Sequence, residues 1–359
     1  MASSGLAQPA DSISVTAKAK PPKNTVITTV QLEDGLLGSS LIFPLGLLVS
    51  PDSSTVYVTG EDSEYGTTYV LVLDATNNYA TKAIVSVGSF SEPPGYLATN
   101  PDGTTLYVSC AGTPGTVSVI DTTQPTYPVT ATLTAGNTPA GMAVTPDGTA
   151  LYVVNEGFRS TNTKGNVSVF DTSTNTLTAT LQTGGYPLLC VFTAPGNQLD
   201  LLNTAGSGYM QFINTASGTI SGSTGAAGRI RYFYPAGLVT DSSASRLYIA
   251  SQINYVTVCD SSDGKVIKQL LAQTDVSESV GLGQPAVTPN GQYLYVPYAG
   301  ENQVVENQVV MLNVGTGKLV GSPIQVGNEP RLAQVAPNGD TLYVANYIDG
   351  SITVIDTTP

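Results

Sequence analysis

Three features of the sequence predict an all-β fold, a seven-bladed β-propeller of four-stranded antiparallel blades. The first is a degenerate repeat of about 47 residues, present in seven copies. The second is the pattern inside each copy, where short apolar strands alternate with tight-turn residues. The third is that the last copy lacks its fourth strand, while a segment near the N-terminus carries the pattern of such a strand. A ring closed by that strand has no open edge.

The composition agrees with short strands joined by tight turns. Apolar residues make up 41% of the 359-residue chain and charged residues only 11%, with 37 Gly and 23 Pro to set the φ angles of turns. No apolar run is long enough to span a bilayer, so we expect no membrane insertion. The formal net charge of −13 opposes association with nucleic acid, and no such partner is expected.

The second strand of each repeat reads Leu-Tyr-Val or a close variant and follows a Pro-Asp-Gly-like turn. In such a turn Pro presets φ at the first corner and Gly accepts a positive φ at the last. The central strands are Val56-Tyr57-Val58, Leu106-Tyr107-Val108, Leu151-Tyr152-Val153, Leu199-Asp200-Leu201, Leu247-Tyr248-Ile249, Leu294-Tyr295-Val296 and Leu342-Tyr343-Val344. The strands are apolar on both faces, which predicts blades stacked face to face.

The third strand of every repeat ends in Asp or Asn. Its side-chain oxygen can accept a hydrogen bond from the backbone N–H two residues on and so start a turn. The residues are Asp74, Asp121, Asp171, Asn214, Asp260, Asn313 and Asp356. A residue that recurs in every blade is a structural device, so we assign this set no catalytic role.

The seventh repeat is completed from the other end of the chain. It stops at Val354-Ile355-Asp356-Thr357-Thr358-Pro359, and residues 24–32 carry the pattern of the missing fourth strand. The predicted organisation is an N-terminal tail over residues 1–22, which can be partly ordered, and a single propeller domain over residues 23–359.

Residues 145–155 (TPDGTALYVVN) and 337–346 (PNGDTLYVAN), the latter followed by ITVID at 352–356, carry a further signal. They closely resemble the YVTN-type β-propeller family of archaeal surface-layer and exported bacterial proteins. The resemblance covers roughly residues 24–359. It implies the propeller fold, but its motif residues are scaffold and imply no particular function.

The low lysine content and the Thr/Ser/Asn-rich composition favour an exported protein, periplasmic or at the cell surface. The first residues lack a basic region and an apolar stretch, so we expect a mature form without its signal peptide; a cytoplasmic protein is the alternative. Cys110, Cys190 and Cys259 fall in predicted strands without zinc-binding spacing, which predicts buried thiols and no metal site. We expect a monomer and no cofactor.

Function in a repeat protein concentrates where one repeat departs from the others. Two sets of loops share one face of the propeller, which we call the top face. One set joins the second and third strands of each blade, and the other joins each fourth strand to the next blade. All nine glutamates and four of the five arginines map to these loops or their edges. They are Glu33, Glu61, Glu64, Glu92, Glu156, Glu278, Glu301, Glu306, Glu329, Arg159, Arg229, Arg231 and Arg331. This rim predicts a polar binding site at the channel mouth; a merely solvated face is the alternative.

Individual departures single out particular positions. Blade three has an insertion over residues 156–165, and blade six has a tandem duplication over 301–310. The duplication is either a neutral replication slippage or a lengthened binding loop. Arg331 stands where the other blades have neutral residues, which makes it the best single candidate for binding a carboxylate or phosphate. Tyr298 departs from its counterparts at the ends of the second strands.

Two functions fit these features. The first is a non-enzymatic binding or surface-interaction module for a small polar or anionic ligand, or for a protein or cell-surface partner. Its candidate binding residues are Arg159, Arg229, Arg231, Tyr232, Tyr234, Tyr298, Glu329 and Arg331. A further hypothesis is the binding of single-stranded DNA by Tyr232, Tyr234 and nearby arginines. The negative net charge of the chain opposes this hypothesis.

The second function is a histidine-free, metal-independent hydrolase or lyase. The chain contains no histidine, which excludes Ser-His-Asp catalysis and histidine-ligated metals. Proton transfer would then fall to Glu156 or Glu329 as base and to Tyr234 or Tyr298 as acid.

Overall fold

The computed structural model describes residues 21–33, 41–62, 67–89, 95–193, 196–204, 208–223, 235–241, 243–251, 255–272, 281–299 and 307–359. Over these residues the chain forms seven antiparallel sheets and no helix, and so no helix that could cross a membrane. Each sheet is one blade, with its strands in order from the central channel outward. The predicted seven-bladed propeller is confirmed.

The described chain begins with strand β1 (Thr25–Gln31), which belongs to blade seven. Blade one contains β2 (Ile42–Val49), β3 (Thr55–Asp62), β4 (Thr67–Asp74) and β5 (Ala80–Ser89). Blade two contains β6 (Leu97–Thr99), β7 (Thr105–Cys110), β8 (Thr116–Asp121) and β9 (Val129–Thr134). Blade three contains β10 (Pro139–Val144), β11 (Ala150–Asn155), β12 (Asn166–Asp171) and β13 (Thr176–Gln182).

The second half of the ring repeats this order. Blade four contains β14 (Pro187–Thr193), β15 (Gln198–Asn203), β16 (Tyr209–Asn214) and β17 (Thr219–Ser223). Blade five contains β18 (Pro235–Thr240), β19 (Arg246–Ser251), β20 (Tyr255–Asp260) and β21 (Val266–Leu271). Blade six contains β22 (Gly281–Leu282), β23 (Ala286–Val287), β24 (Tyr293–Ala299), β25 (Gln308–Asn313) and β26 (Ile324–Gln325). Blade seven contains β27 (Pro330–Val335), β28 (Thr341–Asn346), β29 (Ser351–Asp356) and β1.

The inner strand of blade six is split into β22 and β23. Pro285 lies in the gap, and proline cannot donate a ladder hydrogen bond. Gln284 bonds to blade seven instead: its N–H donates to the Arg331 carbonyl at 2.7 Å, and its carbonyl accepts from the Ala333 N–H at 3.0 Å. The inner edges of blades six and seven are therefore joined directly.

Strand β1 closes the ring as predicted. It pairs antiparallel with β29, from Thr25 opposite Asp356 to Gln31 opposite Ser351. Leu32 follows it and is fully buried. Asn24 precedes it and accepts a hydrogen bond from the Tyr295 hydroxyl of blade six at 2.7 Å. The N-terminal segment thus ties blade seven to blade six as well as completing its sheet.

The core consists of seven apolar clusters, one at each boundary between adjacent blades. Tyrosines of the second strands fill these boundaries. Tyr57 meets Tyr127 edge to face with ring centroids 6.5 Å apart, and Tyr152 meets Phe192 at 5.4 Å. Both faces of every blade are covered, which explains strands that are apolar on both sides.

The turn residues act as the sequence predicts. In blade three Gly148 has a φ of +75°, and the Asp147 carboxylate accepts from the Thr149 N–H at 3.0 Å. Blades one and five place Ser53 and Ala244 in the same left-handed region. All seven residues at the ends of the third strands accept a backbone N–H bond, from two residues on in five blades and from three residues on at Asn214 and Asn313.

Candidate binding site at the channel mouth

The central channel contains a cavity of about 310 Å³ lined by the inner strands of blades two to seven. A smaller cavity of about 120 Å³ reaches Leu45 and Gly46 at the top-face end of β2. Most of the lining side chains are apolar, and Gln284 and Gln334 contribute amides to both cavities. The surface exposed to the channel is nonetheless polar and apolar in similar parts, which suits a small polar ligand.

Tyr96 lines both cavities and is their only shared aromatic residue among the lining groups. It starts from blade two, yet its side chain packs against the core cluster between blades four and five. The ring therefore extends across the channel. Burial raises the pKa of the Tyr96 phenol, and the negative charge of Glu156 raises it further.

The insertion in blade three folds into a short hairpin over residues 156–165. Phe158 and Thr163 exchange backbone hydrogen bonds of 2.9 Å in both directions. Gly157 has a φ of +80°, and a Cβ there would lie 2.4 Å from the Thr163 carbonyl oxygen, so only glycine fits. The Tyr186 hydroxyl donates to the Asn162 side chain at 3.1 Å and fastens the hairpin to blade four.

Charged side chains of this hairpin gather over one aromatic ring, and we call Glu156, Arg159, Lys164 and Tyr186 the blade-three cluster. The Arg159 guanidinium and the Lys164 ammonium lie 5.1 Å and 4.7 Å from the Tyr186 ring centroid. Arg159 Nε lies 3.4 Å from Glu156 Oε1, and its Nη2 donates to the Thr204 hydroxyl. Burial raises the pKa of Glu156, while Arg159 opposes the shift.

A second group of charged and aromatic residues lies on blade seven. Arg331 donates from Nε and Nη2 to Glu329 Oε1 at 2.7 Å and 2.5 Å. Its guanidinium stacks on Tyr347, 3.4 Å from the ring centroid, and Tyr347 meets Phe43 of blade one at 5.3 Å. We call these four residues the blade-seven cluster. In it the Arg331 charge is already neutralised by a short ion pair.

The two clusters lie on separate parts of the ring, since blades one and two lie between them on one side and blades four to six on the other. Neither cluster contributes a residue to the lining of the two cavities described above. Each cluster combines a Glu–Arg ion pair with a tyrosine ring under the cation. Among the described residues, no three Asp, Glu or Cys side chains meet in a metal-binding arrangement.

The ends of the second strands form a buried ring instead of a lining for the mouth. Asn155 donates from Nδ2 to Asn166 and Ser168 at 2.8 Å and 2.9 Å, and Asn346 donates to Ser351 and Thr353 at 3.0 Å and 2.9 Å. Tyr298 is fully buried in the cluster between blades five and six. The structure therefore places Tyr298 in the core, because this strand end packs between blades five and six.

Replacing Tyr298 with alanine is expected to lower the free energy of unfolding by about 3–5 kcal/mol, because a large buried side chain leaves a cavity. The measurement is a denaturant titration of Tyr298→Ala beside Tyr298→Phe, which keeps the ring and should cost about 1 kcal/mol. Wild-type stability in Tyr298→Ala, together with lost ligand binding, would return this residue to the candidate site.

Some of the other predicted site residues form ion pairs, and the others lie outside the described residues. The structure brings together Glu156 with Arg159 and Glu329 with Arg331 in two separate ion pairs. Arg229, Arg231, Tyr232 and Tyr234 lie outside the described residues, as does the first copy of the blade-six duplication. Tyr96, Lys164, Tyr186 and Tyr347 were not predicted. Tyr96 had a signal, because three other blades carry glycine at its inner-strand position: Gly46, Gly141 and Gly237.

Comparison with known proteins adds a family model and a structural likeness. The model of the choice-of-anchor I domain matches residues 47–206, which is less than half of the chain. The chain is also similar to a solved structure titled Kuenenia stuttgartiensis hydrazine synthase, with a TM-score of 0.73 and 21% sequence identity over 91% of this chain and 99% of that one. This likeness bears out the propeller fold. At such identity it shows the fold alone, and no curated protein matches the sequence.

Proposed function

We propose that this chain is a non-enzymatic binding module that takes a small polar ligand with an anionic group at the mouth of its channel. The observation that carries the proposal is the two Glu–Arg ion pairs on blades three and seven, each with its cation over a tyrosine ring. Cations held over rings bring positive charge and flat apolar area to one place. The channel adds apolar side chains and polar groups that include Gln284 and Gln334.

We further propose that the repeats are of the YVTN type and that the protein is exported, to the periplasm or the cell surface. The motifs at residues 145–155 and 337–346 support the first point. The matching domain model supports the second, since its name refers to a choice of anchor. A propeller in that setting presents its top face to ligands or to a protein partner outside the cell.

The test is a thermal-shift screen of sugar acids, phosphorylated metabolites, amino acids and short acidic peptides. Variants carrying Arg159→Ala and Arg331→Ala together are expected to lose the ligand-induced rise in the unfolding midpoint. The matched control is Arg246→Ala, the single arginine on the opposite face, which should keep it. A shift that survives in the double variant, or vanishes equally in the control, would place the binding site elsewhere.

A histidine-free hydrolase or lyase is the second candidate, supported by one observation. Burial raises the pKa of Glu156, and its negative charge contributes to the raised pKa of the Tyr96 phenol. A carboxyl group with a raised pKa is better suited to general acid–base catalysis than an ordinary carboxylate. The same screen separates the two functions: chemical turnover of a bound compound that is abolished in Glu156→Gln would establish an enzyme, whereas binding without turnover supports the module.

A further inference from the structure

The blade-three and blade-seven clusters differ in how well their positive charges are balanced. Arg331 makes two short bonds to Glu329, so one carboxylate fully engages one guanidinium. On blade three, Glu156 lies 3.4 Å from Arg159, and a second cation, Lys164, lies over the same Tyr186 ring as Arg159. Within the described residues, Lys164 has no carboxylate within ion-pair distance. The blade-three cluster therefore carries excess positive charge.

The two cations of this cluster share one aromatic ring. Both lie over Tyr186, so their charged centres are at most about 10 Å apart. Tyr186 is buried and is tied by its hydroxyl to Asn162, and Arg159 is further anchored to Thr204. Bringing two cations together costs electrostatic free energy, and an anion that bridges them would recover it.

The charge of Glu156 does not cancel this excess. Burial raises the pKa of Glu156, so this carboxylate is held in a place that disfavours its negative form. The overall charge of −13 repels anions from a distance, but salt screens such long-range repulsion beyond about 8–10 Å. At physiological ionic strength the local pair of cations governs what binds here.

We propose that Arg159 and Lys164 form an anion-binding subsite for a tetrahedral dianion, a phosphate or the phosphate group of a monoester. Arginine presents a planar fork of donors, and lysine supplies a compact point charge; together they match an oxygen-rich dianion better than a monocarboxylate. The subsite deepens the proposed function, on which it rests, because it names the class of ligand and the side of the mouth that holds its anionic group.

The chain contains no tryptophan, which allows a clean optical test. A Phe158→Trp substitution places a single tryptophan on the hairpin beside the subsite, and it can be excited selectively at wavelengths where the 19 tyrosines do not absorb. In this background, titration with inorganic phosphate and with phenyl phosphate at 0.1 M salt should give saturable changes in fluorescence. Lys164→Ala and Arg159→Ala should each raise Kd at least tenfold, and acetate should compete weakly.

Two further variants test the subsite. Arg246→Ala, on the opposite face, should leave the Kd for phosphate unchanged, and Glu156→Gln should lower it by roughly two- to fivefold, because a neighbouring negative charge is removed. No saturable binding of either phosphate probe, or equal affinity in wild type and Lys164→Ala, would overturn the subsite. If the ligands of the thermal-shift screen still need Arg331 in that case, the binding module stands without it.

Discussion

Deleting residues 1–33 is expected to lower the free energy of unfolding by at least about 5 kcal/mol and to cause aggregation. The deletion removes β1 with its ladder to β29, and each backbone hydrogen bond contributes about 0.5–1.5 kcal/mol. It also removes Leu32, whose fully buried side chain contributes about 2–5 kcal/mol. Because domains have only about 5–15 kcal/mol in all, most of the stability should be lost.

Aggregation follows from the exposed edge. Without β1, strand β29 presents unpaired N–H and C=O groups along residues 351–356, which is a template for pairing with another chain. The measurements are the thermal unfolding midpoint and light scattering on heating. A synthetic peptide of residues 21–33 should restore the midpoint when added in excess, since it can supply the same ladder.

Two smaller changes test which part of the N-terminal segment stabilises the ring. Deletion of residues 1–20 keeps every contact of β1 described here and should leave the midpoint unchanged. Asn24→Ala removes the acceptor of the buried Tyr295 hydroxyl and should cost about 1–3 kcal/mol. If the deletion of residues 1–33 unfolds at the wild-type temperature without aggregating, the N-terminal strand is not what holds the ring closed.

The fold could be predicted from the sequence because its signals are local and repeated. Turn residues such as Asp147 and Gly148 fix backbone geometry within four residues, and the seven copies reinforce one another. The closing strand was predictable as well, since the missing pattern of the last copy appears at residues 24–32. No long-range packing had to be known for either inference.

The candidate site was predictable only in part, because it depends on contacts between blades. Glu156 and Arg159 are three residues apart in the sequence, so their ion pair could be predicted from it. Tyr186 comes from the next blade, and Tyr96 crosses the channel to blades four and five. Tyr298 shows the reverse: its position at a strand end was predictable, but its full burial depends on packing between blades five and six.

Asp200 departs from the repeat in the core, where the other six blades have tyrosine in their second strands. The residue is fully buried. Its carboxylate accepts bonds from the Thr193 hydroxyl at 2.9 Å and from the Gln198 amide at 2.7 Å. Burial raises the pKa of Asp200 from 3.8 to about 6, although these two bonds oppose the shift. A buried carboxyl therefore titrates inside the boundary between blades four and five.

The sign of its effect on stability follows from this shift. The folded protein holds the Asp200 proton more tightly than the unfolded chain does. Its contribution to stability is therefore greatest below the ordinary value of 3.8 and is lost as the pH rises through about 6. At pH 7 the ionised carboxylate costs about 3 kcal/mol relative to its protonated form.

Asp200→Asn is expected to raise the free energy of unfolding by about 2–3 kcal/mol at pH 7.5 and to change it little at pH 3.5. The amide fits the existing bonds: its oxygen can accept from Gln198, and its nitrogen can donate to the Thr193 hydroxyl, which is able to reverse its role. The measurement is the free energy of unfolding by urea across this pH range, taken as the difference between the two proteins.

Asp147→Asn is the matched control with the opposite sign. Hydrogen bonds from the Thr145 hydroxyl and the Thr149 N–H lower the pKa of Asp147 to about 2, so its charge stabilises the fold above the ordinary value of 3.8. The variant should fold, because Asn290 fills the equivalent turn position in blade six, but it should be less stable at pH 7.5. Changes of opposite sign in the free energy of unfolding at pH 7.5, from the same Asp-to-Asn substitution, would show that Asp200 destabilises the fold as a buried charge, whereas Asp147 stabilises it as a turn residue. A pH-independent difference for Asp200→Asn would instead mean that Asp200 stays ionised in the core, held by its two hydrogen bonds.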